Sequence, residues 1–441
     1  MSPKYCKLLP AIKALLPQEK INELGRDVQF VQRLRVVTSS MFVWAVVLSR
    51  FGQGHPGFSE AGRWFKRLAG KSVQRRAFQL RFKKKAAVVL MQKAFESAVA
   101  PWRQQRPRAK HPLCRYLTDV VAIDCTVVPL SDRLRRCFKG LRQLRAALKV
   151  SFAVSLFGHV PLWARLAAGN RYDSVLFPPL KVFRPGSLLL FDKAFVKFDR
   201  LAQVTEAGHY FLCPMRRSGN PQLRHVAAGP RHLKRAVRGS ERGPRLRQLL
   251  ARGQNVGKSW DLDVMLGGWS RCRPAVNARL VVLRGPHGQA FTYLTNLPRD
   301  IWSPEALREM YRLRWQIELV FKELKQHCNL TSVPSKDRYA VQVFVWASLL
   351  ALVLSRTVCD WLYPLHRTFG LMCRSRPALV TRTLASARTL IVGLLTSTPR
   401  DQRVLLRLLR GQLVDEAAPT ISRRTDSFQR IESQFQAHIA A

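Results

Sequence analysis

The stretch Tyr311–Lys325, YRLRWQIELVFKELK, carries chemistry in its spacing. On an α-helix at about 100° per residue, Tyr311, Arg314, Glu318 and Lys325 fall on one narrow face. Leu313, Ile317, Val320 and Leu324 fall on the opposite side. Such a helix buries an apolar stripe and presents a phenol, two cations and a carboxylate together. A carboxylate among cations suits a place where a metal ion and phosphates meet. The Glu can hold the ion, and the Arg and Lys can hold phosphate oxygens. The competing reading is a surface helix laced with ion pairs.

Two further carboxylates stand in apolar surroundings. Asp124 lies within VVAIDCTVV, and Asp192 closes SLLLF. A charge in an apolar strand is costly unless it is paired or bound to metal. Taken singly, each could be a satisfied core Asp or a turn residue. Asp119, five residues before Asp124, points to the other strand face, and Asp199 falls in the helix after the second strand. Two Asp from neighbouring strands and Glu318 from a packed helix would form a three-carboxylate pocket. Its oxygens suit Mg²⁺ or Mn²⁺ and leave positions for water and phosphate. Two ions about 3.5–4 Å apart would activate a water and stabilise a leaving 3′ oxygen. That is phosphodiester hydrolysis; a DNA 3′-OH in place of the water gives strand transfer.

These residues must be positioned by an α/β scaffold. Thr118–Pro129, Leu148–Leu156 and Val160–Ala168 read as a three-strand meander, with Gly158-His159 as the second turn. Ser187–Phe191 is a short apolar strand, a helix is expected between Phe195 and Ala207, and Gly208–Cys213 is a further strand. Three antiparallel strands followed by strand, helix, strand is the order of an RNase H-like α/β fold. Five regions are expected: helical and DNA-binding (1–110), first part of the core (111–215), a basic β-rich insertion (216–294), second part with the Glu helix (295–375), and a helical C-terminal region and tail (376–441). In the first, Val28–Arg50 carries periodic apolar residues, and Arg75–Phe95 reads as one helix with a cationic and an apolar side. In the insertion, Arg279–Leu283 and Phe291–Leu294 look like strands. Ser303 is a good N-cap ahead of Pro304 and Glu305, and a polar tail begins near Asp415. The chain shows no internal repeat.

Composition agrees with a polyanion partner. The 441 residues carry 75 Lys+Arg against 27 Asp+Glu, a formal charge of +48 spread over the whole length. With 47% hydrophobic residues, a large core can form, so this is no disordered basic tail. The nine cysteines form no CxxC pair and fit reduced thiols in a cytosolic compartment. The N-terminal residues contain no signal-peptide h-region. Val341–Leu354 is the most apolar run, short for a bilayer and expected as a buried helix.

The spacing Tyr311-x2-Arg314-x3-Glu318-x6-Lys325 resembles the Tyr-Arg-Glu-Lys motif of bacterial insertion-sequence DDE transposases that carry a β-rich insertion before the final Glu. Thr295-Asn296-Leu297-Pro298, Ile123-Asp124-Cys125-Thr126 and Phe191-Asp192-Lys193-Ala194-Phe195 resemble that family too. Cys125 and Lys193-Ala194-Phe195 depart from its usual small residue and Arg-Gly-Tyr-like run. The resemblance covers about residues 20–400. It implies Asp124, Asp192 and Glu318 as catalytic metal ligands, with Mg²⁺ or Mn²⁺, two ions, as cofactor. It implies Tyr311, Arg314 and Lys325 as phosphate-positioning, DNA-binding residues. It implies double-stranded DNA as partner, at terminal inverted repeats and target sites. A homodimer in a synaptic complex, with contacts after about Ser375, and a cytoplasmic, nucleoid-associated protein without membrane contact are implied as well. By motif offset, Phe291 stands where some members stack a flipped base, or is an ordinary strand aromatic. Trp315 could pack on DNA or the core. Arg216, Arg217 and the cations from Arg231 to Arg247 could track DNA or solvate a loop. The rivals are a related metal-dependent nuclease, a catalytically silent DNA-binding regulator and an RNA-binding protein.

Overall fold

The computed structural model describes residues 8–32, 36–52, 56–104, 115–141, 143–216, 220–238, 244–246, 259–267, 275–284, 289–368 and 377–417. Nine strands, β1 (Val120–Pro129), β2 (Ala147–Ser155), β3 (Val160–Ala168), β4 (Leu188–Phe191), β5 (Tyr210–Pro214), β6 (Gln222–Ala228), β7 (Trp260–Leu266), β8 (Val276–Arg284) and β9 (Ala290–Thr295), form one sheet. Their order is β3-β2-β1-β4-β5-β9-β8-β7-β6. β1, β2 and β3 pair antiparallel, while β4 and β5 run parallel to β1. This is the strand order expected of an RNase H-like core. The strands of residues 216–294 continue the same sheet through the antiparallel β5–β9 pair.

The sheet separates two apolar masses, and side-chain parity decides which residue joins which. Val120, Ala122, Leu188, Leu190 and Leu212 face one core, which contains the N-terminal helices. Val121, Ile123, Leu189, Phe191, Phe211 and Cys213 face the other, which the far strands also line. The first core collects the N-terminal helices α1 (Leu8–Leu15), α2 (Gln18–Asp27), α3 (Ser39–Leu48), α4 (Phe58–Ala69), α5 (Arg75–Phe82) and α6 (Lys85–Gln104). Two expected helices are each shorter than read. The Val28–Arg50 periodicity resolves into α3 alone, which is buried on all sides from Phe42 to Leu48. Arg75–Phe95 is split at Lys83-Lys84 between α5 and α6.

α7 (Phe198–Glu206) follows the second carboxylate, and α8 (Arg231–Arg238) lies between β6 and β7. Then come α9 (Pro304–Arg312), α10 (Trp315–His327), α11 (Arg338–Thr368), α12 (Pro377–Ser386), α13 (Arg388–Thr396) and α14 (Pro399–Ala417). Ser303 caps α9 as expected, its hydroxyl accepting from the Ala306 amide at 3.2 Å. The expected polar tail lies mostly outside the described residues, and α14 extends to its start.

α11 is longer than the apolar run Val341–Leu354. Residues Arg338–Trp361 are long and apolar enough to cross a membrane, but 89% of the apolar stretch is buried within the protein. It is therefore the central helix of the first core. Arg356 lets the helix continue beyond the apolar run, because its charge is matched inside. Its guanidinium meets Glu323 of α10 through two bonds, at 2.8 and 2.6 Å. Its Nε donates to the carbonyl of His159 at 2.8 Å. His159, rather than Gly158, is the left-handed residue of the β2–β3 turn (φ 51°). Thr381 of α12 also donates to Glu323. One network thus ties α10, α11, α12 and the sheet.

Asp119 has a different fate. It is buried just before β1 and accepts from the Val120 amide at 2.8 Å and the Ser155 hydroxyl at 2.9 Å. Burial pushes its carboxyl up to about 7.

Glu323→Ala is expected to lower stability by about 3–5 kcal/mol, because it strands a buried guanidinium. Replacing Glu323 and Arg356 together by Met should cost far less, and chaotrope melts of the three proteins measure the difference. A raised carboxyl favours the fold only while protonated. Asp119's contribution is complete below about pH 4 and lost as pH rises through about 7, on the order of 4 kcal/mol in all. Asp119→Asn should remove that decline from the unfolding free energy measured across this range.

Candidate active site

β1 and β4 set the first two carboxylates. Their parallel register pairs Ile123 with Phe191, so Asp124 and Asp192 are the next residues on adjacent strands. Adjacent strands lie roughly 5 Å apart. Even-numbered positions of both strands face the helical core, and both carboxylates take that side. Asp192 leaves β4 and opens a tight helical turn, Lys193–Phe195, without using its side chain as a cap. Arg216 braces this turn, donating to the carbonyls of Lys193 at 2.9 Å and Ala194 at 3.1 Å. Arg216 is exposed, and its guanidinium holds the second carboxylate's loop. Arg217 lies outside the described residues, as do Arg242 and Arg247.

The third carboxylate comes from the helical layer. Tyr311 to Lys325 is not one continuous helix. α9 ends at Arg312, Leu313 and Arg314 form a turn, and α10 begins at Trp315. Leu313 and Arg314 keep right-handed helical dihedrals, and three-residue hydrogen bonds carry the chain across. The helical face therefore survives the interruption. Leu313, Ile317 and Leu324 are buried, and Val320 packs against the same core, as the spacing predicts. Tyr311, Arg314 and Glu318 turn toward the sheet. Lys325 is exposed further along α10, and Trp315 is exposed at 58%.

Arg314 joins the two layers. One guanidinium nitrogen donates to Asp124 Oδ2 and the other to Glu318 Oε1, each at 2.7 Å. A rigid planar fork thereby brings these two carboxylates within about 8 Å of each other. The other Asp124 oxygen accepts from the Cys125 amide at 2.7 Å. All three side chains are sheltered: 18% exposed for Arg314, 21% for Asp124 and 32% for Glu318. Burial, then the like charges of Asp192 and Glu318, hold the Asp124 carboxyl above its usual range despite Arg314.

Tyr311 completes the group. Its ring lies 5.1 Å from Tyr293 of β9 and 6.0 Å from the Arg314 guanidinium. Burial, aided by the neighbouring Asp192 carboxylate, pushes its phenol well above the ordinary value, so it remains a proton donor. Phe291 also lies on β9, packed on the core with the Arg308 guanidinium 4.9 Å over its ring.

Asp124 and Glu318 offer carboxylate oxygens on the helical side of the sheet, with Asp192 at the end of the neighbouring strand, and oxygen is the donor hard divalent cations take. The like-charge stress on Asp124 is of the kind a cation relieves. Arg314 stands between Asp124 and Glu318, and among the described residues no three His, Cys, Asp or Glu side chains converge as a ready-made cage. Two features were not legible in the sequence. The 314–318 pairing follows from i,i+4 spacing, but the bond to Asp124 spans 190 residues. Arg216 as a brace has no sequence signature.

Comparison with known proteins bears on this arrangement. A family model described as "Transposase DDE domain" matches residues 115–354, from just before β1 well into α11. The transposase of insertion sequence element IS1151 of Clostridium perfringens is 21% identical over 390 residues, 81% of each chain. The transposase of IS421 of Escherichia coli is 44% identical over 61 residues, 14% of this chain and 16% of its own. A piggyBac transposase synaptic complex with hairpin DNA is similar at a TM-score of 0.48 and 13% identity, over 95% of this chain and 87% of that one. The family match spans more than half the sequence and contains Asp124, Asp192 and Glu318, so this chain belongs to the DDE-domain transposases.

Proposed function

We propose that this DNA transposase cuts DNA at the ends of its own element and joins the freed 3′ ends to target DNA. The observation that carries this reading is the β1–β4 register, which sets Asp124 beside Asp192 on the side that receives Arg314 and Glu318. In this reading Asp124, Asp192 and Glu318 hold divalent ions, Mg²⁺ or Mn²⁺, probing the same oxygen-rich face. When bound, such ions lower the pKa of an attacking water and stabilise a leaving 3′ oxygen.

The chain's own groups do the rest. The Tyr311 phenol stays protonated and offers a hydrogen bond to a phosphate oxygen. Arg314 and Lys325 supply positive charge on the same helical face for a phosphate, Arg314 while its terminal nitrogens hold Asp124 and Glu318. The excess of basic residues over the whole chain supports a DNA partner. Two element ends must be handled together for one insertion, which a homodimer would accomplish. The protein would then work at DNA within the cytoplasm.

Asp124→Ala is expected to abolish cleavage of end-bearing DNA in Mg²⁺ or Mn²⁺. It should leave DNA binding intact or tighter, since a negative charge beside phosphate is gone. Retained cleavage in this variant would remove Asp124 from the mechanism. Joined-strand products on a gel distinguish a transposase from a nuclease. Absence of any metal-dependent nicking by the parent protein would favour a silent DNA-binding regulator. Arg314→Ala should slow cleavage by about 10- to 100-fold, because both its carboxylate partners lose their orientation. A single-turnover rate at saturating DNA measures this.

A further inference from the structure

A groove of roughly 640 Å³ opens between the N-terminal helices and the start of α11. Its polar lining is Gln79 and Lys83 of the α5 end, Ser131 just after β1, and Ser335 and Lys336 before α11. These positions lie far apart in sequence, and only the packing of the layers unites them. Phe58, Val333 and Pro334 supply an apolar wall. The single acid on the lining, Asp337, is engaged as a cap for the amides of Tyr339 and Ala340, both at 2.9 Å.

The groove is rigidly walled. Phe58 packs edge-on to Phe82 at 5.0 Å and against Phe344 of α11 at 5.3 Å. Arg50 is fully buried and donates to the carbonyls of Pro56 at 3.0 Å and Ser332 at 2.9 Å, and to that of Asn329. One guanidinium therefore clasps the chain on both sides of the opening.

The acids nearest these cations are engaged elsewhere, Asp337 as a helix cap and Asp132 with Arg145 at 3.6 Å. Lys83 and Lys336 are exposed and form no ion pair with a described residue. Lys84 and Lys85 follow Lys83, and Arg133, Arg135 and Arg136 follow Ser131; all five are exposed and likewise unpaired among the described residues. In a folded chain, such a concentration of unanswered charge around a preformed, polar-lined groove is a place for an anion. Lys, Ser and Gln side chains are the usual partners of phosphate oxygens, and an apolar wall suits a deoxyribose.

We propose that this groove holds the phosphodiester backbone of duplex DNA, as a second contact separate from the three carboxylates. The inference rests on the transposase reading and adds to it a binding surface shared by α5, the β1–β2 connection and the approach to α11. The duplex can be the element end or the target, since both present the same backbone.

The test compares the parent protein, Lys83→Glu/Lys336→Glu and, as a control of equal charge change away from the region read as DNA-binding, Arg400→Glu/Arg403→Glu, whose side chains are exposed on α14. Affinity is measured on an end-bearing duplex and on an unrelated duplex across a salt series, with thermal melts confirming that all three are folded. In the groove variant, affinity should fall at least about tenfold, and the slope of log affinity against log salt should become shallower by about 2. The control should match the parent. Loss confined to the end-bearing duplex assigns the groove to the element, loss confined to the other assigns it to target DNA, and either supports the proposal. Unchanged affinity and slope on both duplexes, or an equal loss in the control, overturns it while leaving the transposase reading intact. A parent protein with no salt-dependent DNA binding would overturn both. If Lys83→Glu/Lys336→Glu melts early, Lys83→Gln/Lys336→Gln should still give a shallower slope, and an unchanged slope there counts against the groove.

Discussion

The structure depends on one electrostatic constraint: negative side chains held close together where water is scarce. Asp124 and Asp192 are fixed by a strand register, and Glu318 by a helix, so none can retreat. Partial burial, and after it repulsion from Asp192 and Glu318, raises the cost of keeping Asp124 charged. Arg314 offsets part of that cost by bonding to one carboxylate from each layer. A site of this kind favours cations, and in a chain of net charge +48 the surroundings are already prepared for phosphate.

Holding like charges together needs a scaffold that does not yield. The sheet provides it by burying both faces, with odd and even positions of β1 and β4 entering different cores. Behind α10, the Glu323–Arg356 pair anchors the helix that carries Glu318. At the far end of the sheet, Arg279 grips Asp261 at 2.9 and 2.6 Å and donates to the Trp302 carbonyl, joining β7 and β8 to the approach to α9. The Glu323–Arg356 and Asp261–Arg279 charges outside the site are thus paired, and those inside it are crowded.

The sequence was most legible where one physical period dominated. Apolar strands β1 to β5 followed from continuous apolar, β-rich runs, and the parity separating Asp119 from Asp124 from two-residue alternation. β6 is broken by two register irregularities, and β7 alternates Trp260, Leu262 and Val264 with Asp261 and Asp263 rather than forming a continuous apolar run. Those charges are tolerated through Arg279 and Arg299, which are distant in sequence. The break at Leu313-Arg314 also left no signal, since both residues stay in helical dihedrals and the apolar stripe continues.

Residue types and their local spacing determined the chemistry on offer: oxygen ligands, phosphate-binding cations, and an α/β frame to carry them. Local periodicity can do this because it fixes which side chains share a face. Tertiary structure alone decided that Arg314 would reach across 190 residues to Asp124, that Arg216 would brace the loop after Asp192, and that Lys83 and Lys336 would meet across a groove. Such contacts depend on how layers pack, and packing sums many weak apolar contacts that no short stretch of sequence contains.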